Sequence, residues 1–314
     1  MKICIVTVNY KTAPLTIRSV QHSLADLGDI EGRVLVVDND SGDDSLSVLR
    51  AAVREHGWGD RVEILDAGRN GGFGAGNNFA MRHALASDDP PELFYLVNPD
   101  ATVDPGSIPA LVRFMDERPE VGIVGTRIID GDGEVHASGF RFPSAFSELE
   151  RGFRLGIVSR VLRPYSVWQD SPTATSPVDW VSGASCVLRR RMLDEIGLFD
   201  ESFFLYFEET DLCRRAADAG WERWYVAEAQ VQHLEGAATG IKERKRIPGF
   251  WLDSRRLYFE KAFGRIGRVV ADAAWASSHA SWRLRRRLLG RPDDDPPHAL
   301  RDFLRHSVGL SRAE

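Results

Sequence analysis

Leu93-Phe94-Tyr95-Leu96-Val97-Asn98-Pro99-Asp100 is an apolar run that stops abruptly at an amide, a proline and a carboxylate. Five consecutive apolar residues rich in Leu, Val and aromatics read as a strand buried on both faces, the kind found in parallel sheets. The same pattern occurs upstream. Ile3–Val8 runs into Asn9, Val34–Val37 into Asp38-Asn39-Asp40-Ser41-Gly42, and Val62–Leu65 into a Gly/Asn-rich stretch over Arg69–Asn78. Helical patterns lie between them, at about Pro14–Leu27, up to about His56, and from about Gly76 to Ala86. Ile108–Glu117 is a further helix and Val121–Val124 a fifth strand. Strands alternating with amphipathic helices predict an α/β fold, a mostly parallel twisted sheet flanked by helices. Ligands of such sheets bind beyond the carboxyl ends of the strands, so the polar clusters at Asp38–Asp40, Arg69–Asn78 and Asn98–Asp100 should converge on one edge.

Beyond this point the rhythm weakens. Gly139–Pro177 reads as a loop-rich insert. Regular structure returns at Val178–Leu188, with a helix near Arg190–Ile196. The aromatic run Phe203–Phe207 leads into Glu208-Glu209-Thr210-Asp211 and a helix to about Ala219. A strand at Glu222–Val226 and a turn at His233 follow, and the chain reads as helical from Pro248. Of 314 residues, 43% are hydrophobic and 27% charged, which excludes disordered, collagen-like and coiled-coil classes. The three cysteines, Cys4, Cys186 and Cys213, are odd in number and sit in apolar or helical settings, as reduced thiols do. No apolar run approaches the roughly 20 residues of a membrane span. The N-terminus enters a strand pattern without a signal-peptide cleavage site, so a cytoplasmic protein is expected. The net charge of −6 is unevenly spread: residues 241–314 carry 17 Lys/Arg against 9 Asp/Glu, the first 240 carry 23 against 37. A basic tail on an acidic body points to an anionic partner for the tail.

Four of the six residues Gly71–Gly76 are glycine, which lets a backbone approach a ligand closely and offers the N–H groups of a helix start to an anion. The spacing is not that of a dinucleotide fingerprint or of a phosphate-binding P-loop. Asn98 and Asp100, with Asp104 further on, are oxygen ligands suited to Mg²⁺ or Mn²⁺ bridging a diphosphate, or else a conformational turn. Adjacent carboxylates beside aromatic rings, as at Glu208-Glu209, raise one another's pKa and suit a general base, although acids at a helix start are favoured by the dipole alone. His233 is either a structural histidine or a neutral metal ligand beside Asp100. Trp180-Val181-Ser182-Gly183-Ala184-Ser185 combines a ring, small residues and hydroxyls, as a sugar site or a buried strand would.

In this order the motifs resemble the inverting family 2 glycosyltransferases, in the branch holding rhamnosyltransferases and galactofuranosyltransferases. The resemblance rests on Ile5-Val6-Thr7-Val8-Asn9-Tyr10, Val36-Val37-Asp38-Asn39-Asp40-Ser41, Asn70-Gly71-Gly72-Phe73-Gly74, Leu96-Val97-Asn98-Pro99-Asp100, Trp180-Val181-Ser182-Gly183-Ala184, Phe207-Glu208-Glu209-Thr210-Asp211-Leu212 and His233. It covers roughly Met1 to Gly236. It implies a GT-A fold over residues 1–240, with a nucleotide-sugar-binding half (1–126), an acceptor and catalytic half (127–240), and a basic helical extension over 241–314. It also implies that Thr7, Asn9, Asp38, Asn70, Gly72, Asn78 and Asn98 line the nucleotide-sugar site. Asp100 and His233 would hold Mg²⁺ or Mn²⁺, and Trp180, Gly183 and Ala184 would meet the acceptor. Glu209, with Glu208 beside it, would act as general base. Two positions depart from the family pattern: Asn98 replaces the first acid of the Asp-x-Asp motif, and Glu209 stands where Asp is usual.

The expected activity is transfer of a sugar, rhamnose first, from a dTDP- or UDP-linked donor to a glycan or lipid-diphosphate-linked acceptor in cell-envelope or exopolysaccharide synthesis. A non-catalytic nucleotide-sugar-binding scaffold is the alternative. A sugar-phosphate nucleotidyltransferase is disfavoured, because Asn9–Pro14 lacks the early Gly-rich basic loop it needs. Residues 249–291 interleave Trp251, Tyr258, Phe259, Phe263, Trp275 and Trp282 with Arg283, Arg285, Arg286 and Arg287, which predicts contact with an anionic membrane surface and peripheral attachment at the inner face of the plasma membrane. A helical cap on the body or a homodimer interface is the other reading of this tail. Nucleic acid is not an expected partner, since the acidic body repels phosphate.

Overall fold

The computed structural model describes residues 1–168, 174–233, 246–293 and 295–310. Ile3–Asn9 (β1), Gly32–Asp38 (β2), Val62–Asp66 (β3) and Leu93–Val97 (β4) form a parallel set in the order β3-β2-β1-β4. Alternation along these strands builds two cores. Ile3, Ile5, Val34, Val36 and Tyr95 face one way, against Ala13–Leu27 (α1), Ser45–Glu55 (α2) and Ser107–Glu117 (α4). Cys4, Val6, Leu35, Val37 and Phe94 face the other way, against Gly72–Leu85 (α3), Arg190–Ile196 (α7) and Glu208–Asp218 (α8). Both faces are therefore covered by helices, as continuous apolar strands require.

Beyond β4 the sheet becomes mixed. Ser185–Arg189 (β11) runs antiparallel between β4 and Val121–Ile129 (β6), and Glu222–His233 (β12) lies parallel to β6. Ala101–Val103 (β5) closes the edge antiparallel to β12, with His233 opposite Ala101. The last strand runs seven residues past the expected end at Val226, because a bulge between Val226 and Gln230 absorbs Ala227-Glu228-Ala229, which break the alternation. Short strands at Val135–His136 (β7) and Ser176–Pro177 (β9) pair with β6 and β12, and Gly139–Phe140 (β8) pairs with Trp180–Val181 (β10).

The stretch expected to be a loop-rich insert is instead partly helical. Ala145–Phe153 (α5) opens with a reciprocal Ser144/Ser147 capping box, and Gly156–Leu162 (α6) follows. Nine residues carry little helical signal of their own. What holds α5 is burial against Gly249–Leu288 (α9): Gly152 lies so close to Ser278 that no side chain would fit between them. Arg255 of α9, 2% exposed, reaches Glu148 at 2.8 Å and Asp272 at 2.6 Å.

Most aromatics of the tail also face inward, although Phe263 is 40% exposed and Trp251 half-buried. Tyr258, Phe259 and Trp275 are buried, packing with Phe203, Phe207 and, from Ala299–Ser307 (α10), Phe303, and Trp282 is buried between Arg154 and Arg285. They form the core of a cap and are not exposed anchors.

Candidate active site

Three strand ends meet as the alternation predicts. At the end of β1, the Asn9 amide donates to Asp38 Oδ1 at the end of β2 (2.7 Å) and to Ser41 Oγ (3.1 Å). Its carbonyl oxygen accepts from Thr16 (2.8 Å). Asp38 also takes the Ser41 hydroxyl (2.6 Å) and the Ser41 backbone N–H (3.2 Å). Asn39 then links this network to the glycine loop, donating to Asn70 Oδ1 (3.1 Å) and to the Gly72 carbonyl (3.2 Å).

The glycine run becomes helical four residues earlier than expected, because its neighbours leave room only for glycine. Gly72 has φ +88°, and a Cβ there would sit 1.8 Å from the Phe204 carbonyl oxygen, which accepts the Phe73 N–H. Gly74 abuts Phe199 and Glu208, and Gly76 abuts Val8. The positive end of α3 is thus held against the segment leading into Glu208.

That segment is strained. Tyr206 and Phe207, consecutive non-glycine residues, have φ of 71° and 67°, a conformation kept only where surrounding packing enforces it. The strain delivers Glu208, buried, and Glu209, half-buried, to the first turn of α8, each with one carboxylate oxygen that is shielded and lacks a hydrogen-bond partner among the described residues. Two effects oppose each other here. The helix dipole favours the anions by about 0.3–1 kcal/mol, whereas burial favours the protonated acids. Burial wins: the Glu209 carboxyl is pushed up to about 7 despite backbone N–H bonds from Gly183 and Thr210. Glu208 is raised well above the carboxylate range by burial and by the charge of Glu209. Asp211 is a supporting group, paired with Arg215 (2.9 Å) and Lys261 (2.7 Å).

The loop before β11 completes the enclosure. Gly183 faces the Phe73 ring and the Glu209 Cβ, so the glycine helix, this loop and α8 meet at one point. The Ala184 carbonyl accepts the Asn98 N–H (2.9 Å). Two residues further on, Asp100 is 5% exposed, with His233 Nε2 at 3.1 Å from its Oδ1.

One carboxylate and one imidazole, with no cluster of three such donors among the described residues, form a partial donor set. This fits a hard divalent ion that completes its shell with water and substrate diphosphate oxygens, as Mg²⁺ and Mn²⁺ do. Asp104 does not join it. Its carboxylate is drawn to Gln230 and Gln232 of β12 instead.

Other expected residues lie elsewhere in the architecture. Asn78 is fully buried, exchanging bonds with Phe199 (2.8 and 3.0 Å) and Glu201 (3.0 Å), so its polar atoms brace α3 and do not face the open side of the loop. Thr7 is buried within β1, its hydroxyl without a hydrogen-bond partner among the described residues. Trp180 stacks on Phe140 at 4.2 Å and donates its N–H to the Arg141 carbonyl, which makes it part of the insert's own packing.

The sequence reading passed over Asn39, Phe73 and Lys261. Asn39 and Phe73 sit inside quoted motifs and could have been picked by their place at a strand end and a helix start. Lys261, which ties α9 to Asp200 (2.6 Å) and Asp211, carries no spacing signal at all.

A carboxylate with raised proton affinity, a glycine-opened helix start and an Asp–His pair are set on a two-faced α/β sheet, an arrangement that fits the GT-A fold of glycosyltransferases. Solved structures agree on the fold. A mannosyltransferase from Pyrobaculum calidifontis, in complex with GDP-mannose and Mn²⁺, superposes with a TM-score of 0.59 at 14% identity, over 98% of this chain and 79% of that one. GalNAc-T7 with UDP, GalNAc and Mn²⁺ gives 0.61 at 14% identity, over 99% and 55%. The family model described as "Glycosyltransferase like family 2" matches residues 2–247, and the chain belongs to that family. Among its relatives is the N-acetylglucosaminyl-diphospho-decaprenol L-rhamnosyltransferase of Mycobacterium tuberculosis, 33% identical over 224 residues, covering 66% of this chain and 68% of that protein. The rhamnosyltransferase WbbL of Escherichia coli is 24% identical over 164 residues, 52% and 60% of the two chains.

Proposed function

We propose that this chain transfers rhamnose, with inversion, from a dTDP- or UDP-linked donor to a hydroxyl of a glycan or lipid-diphosphate-linked acceptor in building cell-envelope or extracellular polysaccharide. The observation that carries the chemistry is Glu209, raised to about 7 and held beside Gly183 and Phe73, where a base working near neutral pH must be. The names of the two relatives support rhamnose, and that of the mycobacterial protein supports a lipid-diphosphate acceptor.

In this reading Glu209 takes the proton of the acceptor hydroxyl. That oxygen bonds to the anomeric carbon from the side opposite the diphosphate, and the bond from carbon to phosphate oxygen breaks. One displacement inverts the configuration. Glu208, adjacent and raised by burial and by the charge of Glu209, stays protonated beside it. The network of Asn9, Asp38 and Asn39 fixes the floor on which base and ribose would lie. Asp100 and His233 would hold Mg²⁺ or Mn²⁺, which supplies positive charge to the departing diphosphate. Residues 1–126 would carry the donor and 127–240 the acceptor, with 241–314 as the extension. The expected setting is the cytoplasm, at the membrane's inner face.

Thermal unfolding with dTDP, UDP and GDP, each with and without Mn²⁺, tests the donor side. A nucleotide at about 100 times its dissociation constant adds about 2.7 kcal/mol. A Mn²⁺-dependent rise in melting temperature with dTDP or UDP, absent with GDP, is expected, together with turnover of dTDP-rhamnose. No rise with any nucleotide would overturn the reading.

A further inference from the structure

Beyond its kink at Gly264 (φ 69°), α9 turns one side to the body, burying Ala271, Trp275, Ser278 and Trp282. Helices in that position normally turn charged residues outward. Here Ile266, Val270, Ala273, Ser277, Leu284 and Leu288 follow one another at helical spacing along the outward side. Ile266 is 82% exposed, Leu284 62% and Leu288 76%. The strip is about 33 Å long at the α-helical rise. The one acid of this stretch, Asp272, is turned aside to Arg255 and Arg268 (2.6 Å each). The charges bordering the strip are Arg265, which pairs with Glu260 (3.4 Å), Arg283, Arg287 and, just past the helix, Arg291, with Asp293 beyond it held by Arg286 (2.6 Å). A second patch is close by. Helix α6 buries none of its residues, exposes Ile157 and Val161 at 77% and 71% beside Arg160, and begins three residues after Phe153, whose carbonyl accepts from Arg285 of α9.

An exposed apolar strip whose rim is mainly cationic has two natural occupants, and charge chooses between them. A second copy of the chain would set arginines against arginines, with no carboxylate on the strip to pair them. Anionic phospholipid supplies both an apolar layer and the missing negative charge. No described helix is long and apolar enough to cross a membrane, so the contact lies along the surface.

We propose that the outward face of α9 between Ile266 and Leu288 seats this protein on an anionic lipid surface. The aliphatic residues enter the headgroup boundary while the bordering arginines meet lipid phosphate. This deepens the reading of a lipid-linked acceptor and rests on it for its purpose, since the cap that carries the strip also packs against Phe207, next to Glu208.

The test is co-sedimentation with vesicles of phosphatidylglycerol and phosphatidylcholine, without donor or acceptor, so that its result is independent of catalysis. The full chain should sediment with these vesicles, not with phosphatidylcholine alone, and less as salt rises. The variant Ile266→Ser/Leu284→Ser/Leu288→Ser should lose about tenfold or more in partitioning, while keeping its melting temperature and its transfer to a water-soluble acceptor. Absence of binding to anionic vesicles, or equal binding by the variant, overturns the proposal. So does a dimer in vesicle-free solution that the variant abolishes, which would assign the strip to a second copy. Vesicle binding by a protein that transfers no sugar to any acceptor would uphold the surface and remove the transferase reading.

Discussion

The strand ends of the first half and the start of α8 both bury polar side chains, and they treat them in opposite ways. Asn9, Asp38, Ser41, Asn39 and Asn70 bond to one another, and Asn78 is saturated by Phe199 and Glu201. Glu208 is as deeply buried and Glu209 half-buried, yet each keeps a carboxylate oxygen without a hydrogen-bond partner among the described residues, at the end of two residues in left-handed backbone. A closed network fixes a shape. An open carboxylate in a low-dielectric place holds its proton tightly and can exchange it with a substrate. The first half is therefore a shaped floor and the second holds the reactive group. Substitutions in the two should show up in different measurements.

The largest separation is expected at Glu209. Glu209→Gln should lower turnover about 10³-fold, roughly 4 kcal/mol of transition-state stabilisation, with little change in donor affinity. Stability should move the other way. The folded-state pKa of Glu209 is about 7 against an ordinary value of 4.5, so the folded state binds this proton more tightly, and stability declines as pH rises between these values. The variant escapes that decline. It should melt higher than the wild type at about pH 8 and no higher at about pH 4, by at most about 3 kcal/mol. Wild-type transfer should climb about tenfold per pH unit below 7 and level off above it. A flat pH profile, or a variant that retains turnover, would place the base elsewhere.

Next in size is Arg255, which joins the cap to the insert. Removing its guanidinium leaves Glu148 buried without its cation, while Asp272 keeps Arg268 (2.6 Å), and Arg255→Met should cost about 3 kcal/mol in urea unfolding. Replacing all three by apolar residues of similar volume should restore most of it. If Arg255→Met melts like the wild type, the cap does not depend on this triad.

The same contrast governs what could be read from the sequence. The parallel set β3-β2-β1-β4 was legible because each strand is buried on both faces and says so in a continuous apolar run. Glu208-Glu209 was legible as acids after aromatics, and Asp100 by its place at a strand end. The insert and cap were not. Helix α5 exists because Gly152 and Glu148 find partners more than a hundred residues away, and nothing local in nine residues announces that. The aromatics of α9 promised membrane anchors because composition cannot tell which side of a helix is covered. Asp104 looked like a ligand by spacing alone, while the glutamines that claim it belong to a strand that extends past its expected end.

The smallest effect, and the finest test of the comparison, is expected at Asp38. Its carboxylate accepts three bonds, from Asn9 Nδ2, Ser41 Oγ and Ser41 N–H. Asp38→Ala leaves those donors buried and should cost about 2 kcal/mol of stability, seen as a lower urea midpoint. Because these bonds are internal to the floor, the loss should appear in melting and in the KM for the nucleotide-sugar, which the loosened floor binds less well. The turnover number at saturating donor should stay within about threefold of wild type, as expected when the group removed acts equally on bound substrate and transition state. A collapse of turnover with donor affinity intact would show that Asp38 acts in the chemistry, and would remove the distinction between floor and reactive group.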